Sequence, residues 1–326
     1  MPSHDEGRST SGRYELKVLV HIDDAEQWRD ALARRLPGAE VITASAPAEE
    51  RREADYLAVW KPPEALLREP TALKGIINLG AGVDALLNNP GLPEGVPIVK
   101  LRDAGMAELI GDYVRYGILH FQRDFDRYRR QQDDREWREH AVVDKADWPL
   151  GILGLGAIGA KVAGMVAADG FPVHGWSRSE KTLENVTCYH GDEGLADLLD
   201  RVNTLVLLLP DTASTRQIID ARALARLPEG ASLINPGRGT LIDETALLTA
   251  LGDGDAEGRL RGALLDAFPE EPLPGDSPLW AHPRVWVTPH MAGPTPLGAA
   301  LDQVAEALRA FEAGETLETV DPDAGY

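Results

Sequence analysis

The chain carries two series of short apolar runs, and helix-forming stretches separate the runs. The first series is KVLVHI (17–22), VITA (41–44), YLAVW (56–60), GIINLG (75–80) and PIVKL (97–101). The second is WPLGILGLG (148–156), FPVHGW (171–176), TLVLLLP (204–210), SLINP (232–236), GALLDA (262–267) and VWVTP (285–289). Strands that alternate with helices favour βαβ units and parallel sheets. Because 326 residues, 43% of them hydrophobic, suffice for two cores, the sequence predicts an α/β fold with two parallel-sheet domains.

Between the two series, residues 104–137 are rich in helix formers, aromatic residues and charge, and they contain no proline. This stretch predicts one long helix that spans or supports two bodies. A last helix is predicted near 295–313, and the polar residues 1–13 are predicted to be a disordered lead-in.

The charge balance restricts the partners. The chain has 53 acidic and 33 basic residues, a formal net charge of −20, which argues against nucleic acid or an anionic membrane as the main partner. No apolar run approaches the ~20 residues of a membrane span. The sequence does not open on a signal peptide, and Cys188 is the only cysteine, so we expect a cytoplasmic protein in a reducing compartment. Seven of the basic residues are lysines and 26 are arginines, which favours adaptation to molar salt; arginine-rich codon usage is the alternative.

A glycine-rich turn opens the second series. GLGAIG places Gly154, Gly156 and Gly159 in the pattern G-x-G-x-x-G, after an apolar strand and at the start of a helical stretch. In this context the pattern predicts a dinucleotide-binding turn, with phosphates at the helix N-terminus. A ligand-free βα turn and the glycine-rich turn of a methyltransferase are the alternatives.

The end of the next strand, HGWSRSEK (174–181), lacks the acidic residue that binds the ribose hydroxyls of NAD about 20 residues after such a turn. Ser177 stands in its place. Arg178, with Ser177 and Ser179, could bind a 2′-phosphate, and Lys181 adds charge nearby. The sequence therefore predicts NADP(H), with NAD(H) as a weaker alternative; a solvated surface arginine is the competing interpretation.

Three later strand ends carry side chains that could act on a substrate. Arg238 lies between two glycines after a strand, where a guanidinium can bind a carboxylate or polarise a carbonyl; an interdomain salt bridge is the alternative. His290 ends VTPH, and Glu270 and Glu271 follow another strand. A histidine at a strand end with an acid nearby suits general acid–base chemistry.

The ordered set GLGAIG, LLLPDTAST, NPGRGTLID, GALLDAFPEEPLP and VTPH resembles the D-2-hydroxyacid dehydrogenase family. The stretches AVWKPP, LGAGVD, WSRS, SPLW and VDPDAGY resemble its glyoxylate/hydroxypyruvate reductase branch. The resemblance implies two Rossmann-like domains with a cleft between them. It places a cofactor domain at 102–291 and a substrate domain at 1–101 and 292–326. It also implies a homodimer formed through the cofactor domain with the long helix, and no metal.

The resemblance assigns roles to individual residues. It implies that Arg238 binds the substrate carboxylate and carbonyl, that Glu271 pairs with the catalytic histidine, and that His290 is that histidine. It implies substrate contacts from the Ala81 and Gly82 amides, and from the aromatic residues Trp60 and Trp280, for which ordinary packing is the alternative. It leaves the role of Lys61 open. The implied cofactor contacts are Gly154, Gly156, Ala157, Ile158, Gly159, Ser177, Arg178, Ser179, Pro210, Thr215 and Asp266.

The activity that the resemblance implies is the NADPH-dependent reduction of small 2-oxo acids, such as glyoxylate or hydroxypyruvate, with His290 as proton donor. Formate dehydrogenases of the family place a glutamine where Glu271 stands, and phosphoglycerate dehydrogenases often carry a regulatory domain for which we expect no room after the last helix. A corepressor-like protein of the same fold, which binds the cofactor with little turnover, is the alternative.

Overall fold

The computed structural model of the chain describes residues 16–253, 258–322 and 325. The predicted lead-in at 1–13 lies outside these residues. Contacts divide the chain into two compact units. Unit 1 is Met1–Leu101 with Leu297–Val320, and unit 2 is Arg102–Pro296 with Asp321–Tyr326.

Unit 1 contains a parallel sheet of five strands within the described residues, in the order β2-β1-β3-β4-β5. The strands are β1 Leu16–His21, β2 Ala39–Thr43, β3 Tyr56–Val59, β4 Gly75–Asn78 and β5 Ile98–Lys100. The helices of its first part are α1 Ala25–Arg35, α2 Ala48–Arg52, α3 Glu64–Arg68 and α4 Asp84–Leu87. Every residue of β3 and β4 is buried, as expected of central strands covered on both faces.

Unit 2 contains a parallel sheet of seven strands within the described residues, in the order β12-β11-β10-β9-β6-β7-β8. Its strands are β6 Leu150–Leu153, β7 Val173–Ser177, β8 Val186–His190, β9 Thr204–Leu207, β10 Ser232–Asn235, β11 Gly262–Leu265 and β12 Val285–Val287. Its helices are α5 Met106–Gln122, α6 Phe125–Asp134, α7 Ala157–Ala168, α8 Gly191–Leu199, α9 Ala221–Arg226 and α10 Glu244–Leu251. The chain then returns to unit 1 with α11 Leu297–Glu312.

The strand order of unit 2 reverses at β6. From β6 the chain runs outward to β7 and β8, and then crosses back to β9 on the other side. In such sheets, ligands bind outside the carboxyl ends of the strands at this switch point. The prediction of two parallel-sheet α/β domains is confirmed.

The long helix predicted for 104–137 is wrong, because the structure divides it into α5 and α6. Asp124 separates the two helices with a φ of 59°, in the left-handed region that aspartate tolerates better than most residues. Its carboxylate and that of Asp126 both accept hydrogen bonds from Arg261, and the three side chains are only 8–11% exposed. The turn thus supplies the carboxylates that pair with the guanidinium of Arg261.

Strand β8 has no counterpart among the predicted strands. It lies at the edge of the sheet, pairs only with β7 among the described strands, and is only partly buried. An edge strand with little apolar burial lacks the continuous apolar run that marked the other strands. No helix of the described residues has the length and apolar character needed to cross a membrane.

Candidate active site

The glycine turn joins β6 to α7, and each glycine has a different physical reason to be there. Gly154 has a φ of 105°, which side chains rarely adopt. A Cβ on Gly159 would lie 1.8 Å from the carbonyl oxygen of Gly154. A Cβ on Gly156 would meet no heavy atom within 4 Å, so no protein neighbour requires glycine there. The missing side chain leaves space at the N-terminus of α7, which fits the close approach of a pyrophosphate.

Ser177 is buried at the carboxyl end of β7, and its hydroxyl donates to the carbonyl oxygen of Ser179 at 2.7 Å. In this conformation the hydroxyl proton of Ser177 is committed to the turn. Arg178, Ser179 and Lys181 are exposed and lie directly after it. The Ser177 hydroxyl would have to give up this bond to donate to a phosphate, and the cofactor contacts of Ser177, Arg178 and Ser179 remain predictions.

His190 is a further residue at this strand end that the sequence analysis missed. It lies opposite Ser177 in the β7–β8 register and is exposed. Its position became visible only with β8, since no predicted strand placed it beside Ser177.

Pro210 and Thr215 lie in the loop after β9, and hydrogen bonds of the Thr215 side chain connect the two ends of this loop. The Thr215 hydroxyl donates to the Pro210 carbonyl at 2.6 Å and accepts from the amide of Thr212 at 2.9 Å. This bonding fixes the backbone of the loop beside the switch point. A cofactor contact from either residue remains a prediction.

His290 and Glu271 are in direct side-chain contact. Nδ1 of His290 lies 2.8 Å from both carboxylate oxygens of Glu271. The Glu271 carboxylate also accepts from the amide of Phe268 at 3.2 Å. Nε2 of His290 bonds no residue that the structure describes, and a third of the side chain is exposed. The carboxylate thus fixes the ring through Nδ1 and leaves Nε2 for a ligand, the arrangement expected of a general acid.

The Asp266 carboxylate binds the turn that carries His290. This carboxylate is fully buried and accepts from the Thr288 hydroxyl at 2.6 Å and from the amides of Met291 and Ala292 at 2.9 and 2.8 Å. Three donors compensate the burial of its charge. His290 itself has a φ of 52°, a conformation that is strained for most side chains and is often found at functional positions.

Tyr113 of α5 extends this network. Because the single proton of the Thr288 hydroxyl goes to Asp266, Tyr113 must donate to Thr288, across 2.8 Å. Burial raises the pKa of Tyr113, and the charge of Asp266 raises it further, so the phenol stays protonated. Asp266 was predicted as a cofactor contact; its bonds in this structure go to the histidine turn, and the cofactor contact remains a prediction.

Arg238 lies in the turn after β10, which Asn235 organises. The buried Asn235 amide donates to the Arg238 carbonyl at 2.9 Å, and its oxygen accepts from the Gly237 amide at 3.1 Å. Nη1 of Arg238 donates to the Gly237 carbonyl at 2.9 Å. A Cβ on Gly239 would lie 2.0 Å from the Phe268 carbonyl carbon, so this turn passes directly against the segment that leads to Glu271.

The three predicted catalytic residues therefore follow adjacent strands. Arg238 comes after β10, Glu271 after β11 and His290 after β12, and these strands are parallel neighbours. Their carboxyl ends share one edge of the sheet with the glycine turn after β6. Trp280 lies in the same unit; it is 54% exposed and donates through Nε1 to the Pro274 carbonyl at 2.9 Å.

In unit 1, Ala81 and Gly82 follow β4 in the loop LGAGVD. Neither amide donates a hydrogen bond to a residue that the structure describes, and adjacent backbone N–H groups of this kind bind anions. The Trp60 ring packs on this loop: a Cβ on Gly80 would lie 2.2 Å from Cζ3. The Lys61 ammonium lies 5.8 Å from the centre of the Trp60 ring.

The fold and the strand-end residues define the class: a nucleotide-binding turn combined with a histidine–carboxylate pair is typical of a nicotinamide-dependent oxidoreductase. The family model for "D-isomer specific 2-hydroxyacid dehydrogenase, NAD binding domain" matches residues 116–292. The glyoxylate/hydroxypyruvate reductase A of Serratia proteamaculans is 43% identical over 93% of this chain and 97% of its own length. The reductase of the same name from Photorhabdus laumondii is 40% identical over the same shares.

Solved structures agree with the sequence comparisons. A D-isomer specific 2-hydroxyacid dehydrogenase from Xanthobacter autotrophicus, in complex with NADPH and MES, is 40% identical with a TM-score of 0.88, over 95% of this chain and 100% of that one. An NADPH-dependent glyoxylate/hydroxypyruvate reductase from Sinorhizobium meliloti, in complex with NADP and sulfate, is 36% identical with a TM-score of 0.87, over 96% and 100%. The chain belongs to the D-isomer specific 2-hydroxyacid dehydrogenase family, a family of NAD(P)-dependent dehydrogenases.

Proposed function

We propose that this chain reduces glyoxylate, hydroxypyruvate or a similar small 2-oxo acid with NADPH, as the printed names of its relatives indicate for them. The observation that supports this most directly is the pair of His290 and Glu271, 2.8 Å apart at the sheet edge that also carries Arg238. In this proposal unit 2 corresponds to the cofactor domain predicted at 102–291, and unit 1 to the substrate domain predicted at 1–101 and 292–326, although contacts assign 292–296 and 321–326 to unit 2.

The chain's own residues have separate tasks in this reaction. Gly154, Gly156 and Gly159 hold the pyrophosphate at α7, and the nicotinamide, when bound, supplies a hydride for the carbonyl carbon. Arg238 and the amides of Ala81 and Gly82 bind the carboxylate and so orient the carbonyl. Nε2 of His290 donates a proton to the carbonyl oxygen, and Glu271 stabilises the charged ring before the transfer.

The direct test follows the absorbance of NADPH on addition of glyoxylate or hydroxypyruvate to the purified protein. We expect turnover with kcat above ~1 per second, within the ordinary range for enzymes. Tight binding of NADPH without turnover of any member of a 2-oxo acid panel would instead support a corepressor-like role.

The cofactor preference is tested at the end of β7. We expect the double variant Ser177→Asp, Arg178→Ala to lower the ratio of kcat/KM for NADPH over NADH by about 100-fold. The new carboxylate repels the 2′-phosphate and can bind the ribose hydroxyls, and hydrogen bonds to a charged group contribute ~1.5–3 kcal/mol. The measurement is kcat/KM with each cofactor at saturating glyoxylate. A wild-type protein that already prefers NADH would contradict the prediction.

We also propose that the chain forms a homodimer through unit 2. Leu109, Tyr116 and Leu119 of α5 are exposed, as are Phe125 and Trp286, and the Tyr116 and Trp286 rings meet edge to face at 6.5 Å. A cluster of large exposed apolar side chains commonly marks a protein interface. Sedimentation equilibrium decides this point, since the monomer mass is 35.3 kDa.

We place the protein in the cytoplasm of a cell with high internal salt. Transfer from molar KCl to dilute buffer is expected to lower the Tm by several degrees, because the 20 excess negative charges then repel with little screening. The measurement is the Tm across a KCl series; KCl is chosen because sulfate stabilises folded proteins in general. A Tm that does not change with KCl would favour arginine-rich codon usage as the source of the composition.

A further inference from the structure

Asn78 is a polar side chain buried at the last position of the otherwise apolar strand β4. It is 2% exposed. Its Nδ2 donates one hydrogen bond to the carbonyl oxygen of Gly80 at 2.8 Å and another to that of Gly82 at 2.9 Å. The carboxamide therefore ties the loop that follows the strand back to the strand end.

These two bonds determine which way the loop amides face. In a trans peptide the C=O and the following N–H point in opposite directions. Drawing the Gly80 carbonyl toward Asn78 therefore turns the Ala81 N–H away from it. The Gly82 N–H belongs to the next peptide, which lies between two peptides whose carbonyls both accept from Asn78. Asn78 therefore restricts the rotation of the loop segment that carries both amides, neither of which donates to a described residue.

Two other contacts restrict the conformation of this loop. The Trp60 indole lies so close to Gly80 that a Cβ there would be 2.2 Å from Cζ3. The adjacent Leu79 amide is bound at 2.8 Å to the carbonyl of Val59 on β3. Because the loop is bound at Leu79 and packs against the Trp60 indole, its peptides have little freedom to rotate toward another donor when the Asn78 amide is removed.

We propose that Asn78 is a positioning residue for the substrate carboxylate, acting through the direction of the Ala81 and Gly82 amides. This inference rests on the proposed function, in which those amides bind the carboxylate of a 2-oxo acid. Asn78 itself does not touch the substrate. The amide group is required because it supplies two N–H donors; a carboxylate of the same shape supplies none and faces two carbonyl oxygens.

The experiment compares Asn78→Leu, which keeps the approximate size, with Asn78→Asp, which keeps the shape. We expect the KM for glyoxylate to rise about 10-fold in Asn78→Leu and more in Asn78→Asp, with kcat within ~3-fold of wild type, because a misdirected donor to a charged group weakens ground-state and transition-state binding alike. The Kd of oxamate, an unreactive carboxylate analogue, should rise by the same factor in the presence of NADPH. The Kd of NADPH should not change.

Asn89→Leu is the matched control. Asn89 also organises unit 1 through its carboxamide, donating to the Pro62 carbonyl at 2.8 Å and accepting from the Gly91 amide at 2.9 Å. Its loss should lower the Tm but leave the KM for glyoxylate and the Kd of oxamate unchanged. If either Asn78 variant does not fold, the smaller, uncharged Asn78→Ser is measured instead, with the same expected direction.

The inference is overturned if the Asn78 variants bind oxamate like wild type, or if Asn89→Leu weakens oxamate binding equally. Failure of the proposed function gives a different result: the wild-type protein would not reduce glyoxylate at all. In that case the oxamate Kd of wild type against Asn78→Leu still decides whether the carboxamide controls anion binding at the loop.

Discussion

Replacing His290 with alanine is expected to lower kcat/KM for glyoxylate reduction by ~10²–10⁴-fold, the usual contribution of a positioned proton donor. The ring is fixed through Nδ1 on Glu271 and leaves Nε2 for proton transfer. The Kd of NADPH should remain unchanged, because the glycine turn proposed to bind the cofactor lies between β6 and α7. Steady-state kinetics and cofactor titration measure the two quantities on the same preparation.

The matched control is His282→Ala. His282 lies in the same unit just before β12, with Nε2 2.9 Å from the Gly252 carbonyl and Nδ1 accepting from the Arg284 amide at 3.2 Å. Both nitrogens bind backbone, so its loss should affect the Tm more than the rate. A His290→Ala protein that keeps more than a tenth of the wild-type kcat/KM would contradict the assignment of His290 as proton donor.

The partner of His290 is identified by replacing the two candidate acids in turn. The Glu271 carboxylate lies 2.8 Å from Nδ1 and so fixes the ring. Glu271→Gln keeps the shape but removes the charge that binds the ring, so we expect kcat/KM for glyoxylate to fall by about 10-fold or more, since a hydrogen bond to a charged group contributes ~1.5–3 kcal/mol. Glu270→Gln should leave kcat/KM near the wild-type value. The opposite result would exclude Glu271 as the partner and direct attention to Glu270.

The residues proposed to carry the chemistry could be located from the sequence because each has a residue type and a position that few structural roles require. A histidine, an acid and an arginine directly after apolar strands pointed to one edge of a parallel sheet, and the structure places Arg238, Glu271 and His290 after three adjacent strands. The glycine turn was predictable for the same reason, since only glycine fits at Gly154 and Gly159.

The features that were missed depend on contacts between distant parts of the chain. The break before α6 places Asp124 against Arg261, 137 residues further along, and no local pattern marks that pair. The carboxamides of Asn78 and Asn235 could have been recognised from the sequence. Each is a polar residue at the last position of a short apolar strand, GIIN for Asn78 and SLIN for Asn235. A buried amide at such a position has to find partners in the loop that follows.

Arg238→Lys is expected to lower kcat/KM for glyoxylate by about 10- to 100-fold although the positive charge is retained. One terminal nitrogen of Arg238 donates to the Gly237 carbonyl at 2.9 Å, so the guanidinium is fixed against its own turn. A lysine has a single nitrogen and no planar fork, so it cannot serve the turn and bind a carboxylate with two parallel hydrogen bonds.

The distribution of the loss between kcat and KM shows what Arg238 does. If it binds the carboxylate equally in ground and transition states, KM rises and kcat changes little; if it also polarises the carbonyl as charge develops, kcat falls as well. Arg226→Lys is the control, since that exposed arginine of α9 pairs with Asp200 at 2.6 Å on the surface and should tolerate the change. Near-normal kinetics in Arg238→Lys would assign Arg238 to holding its turn, and the carboxylate would then depend on the amides of Ala81 and Gly82.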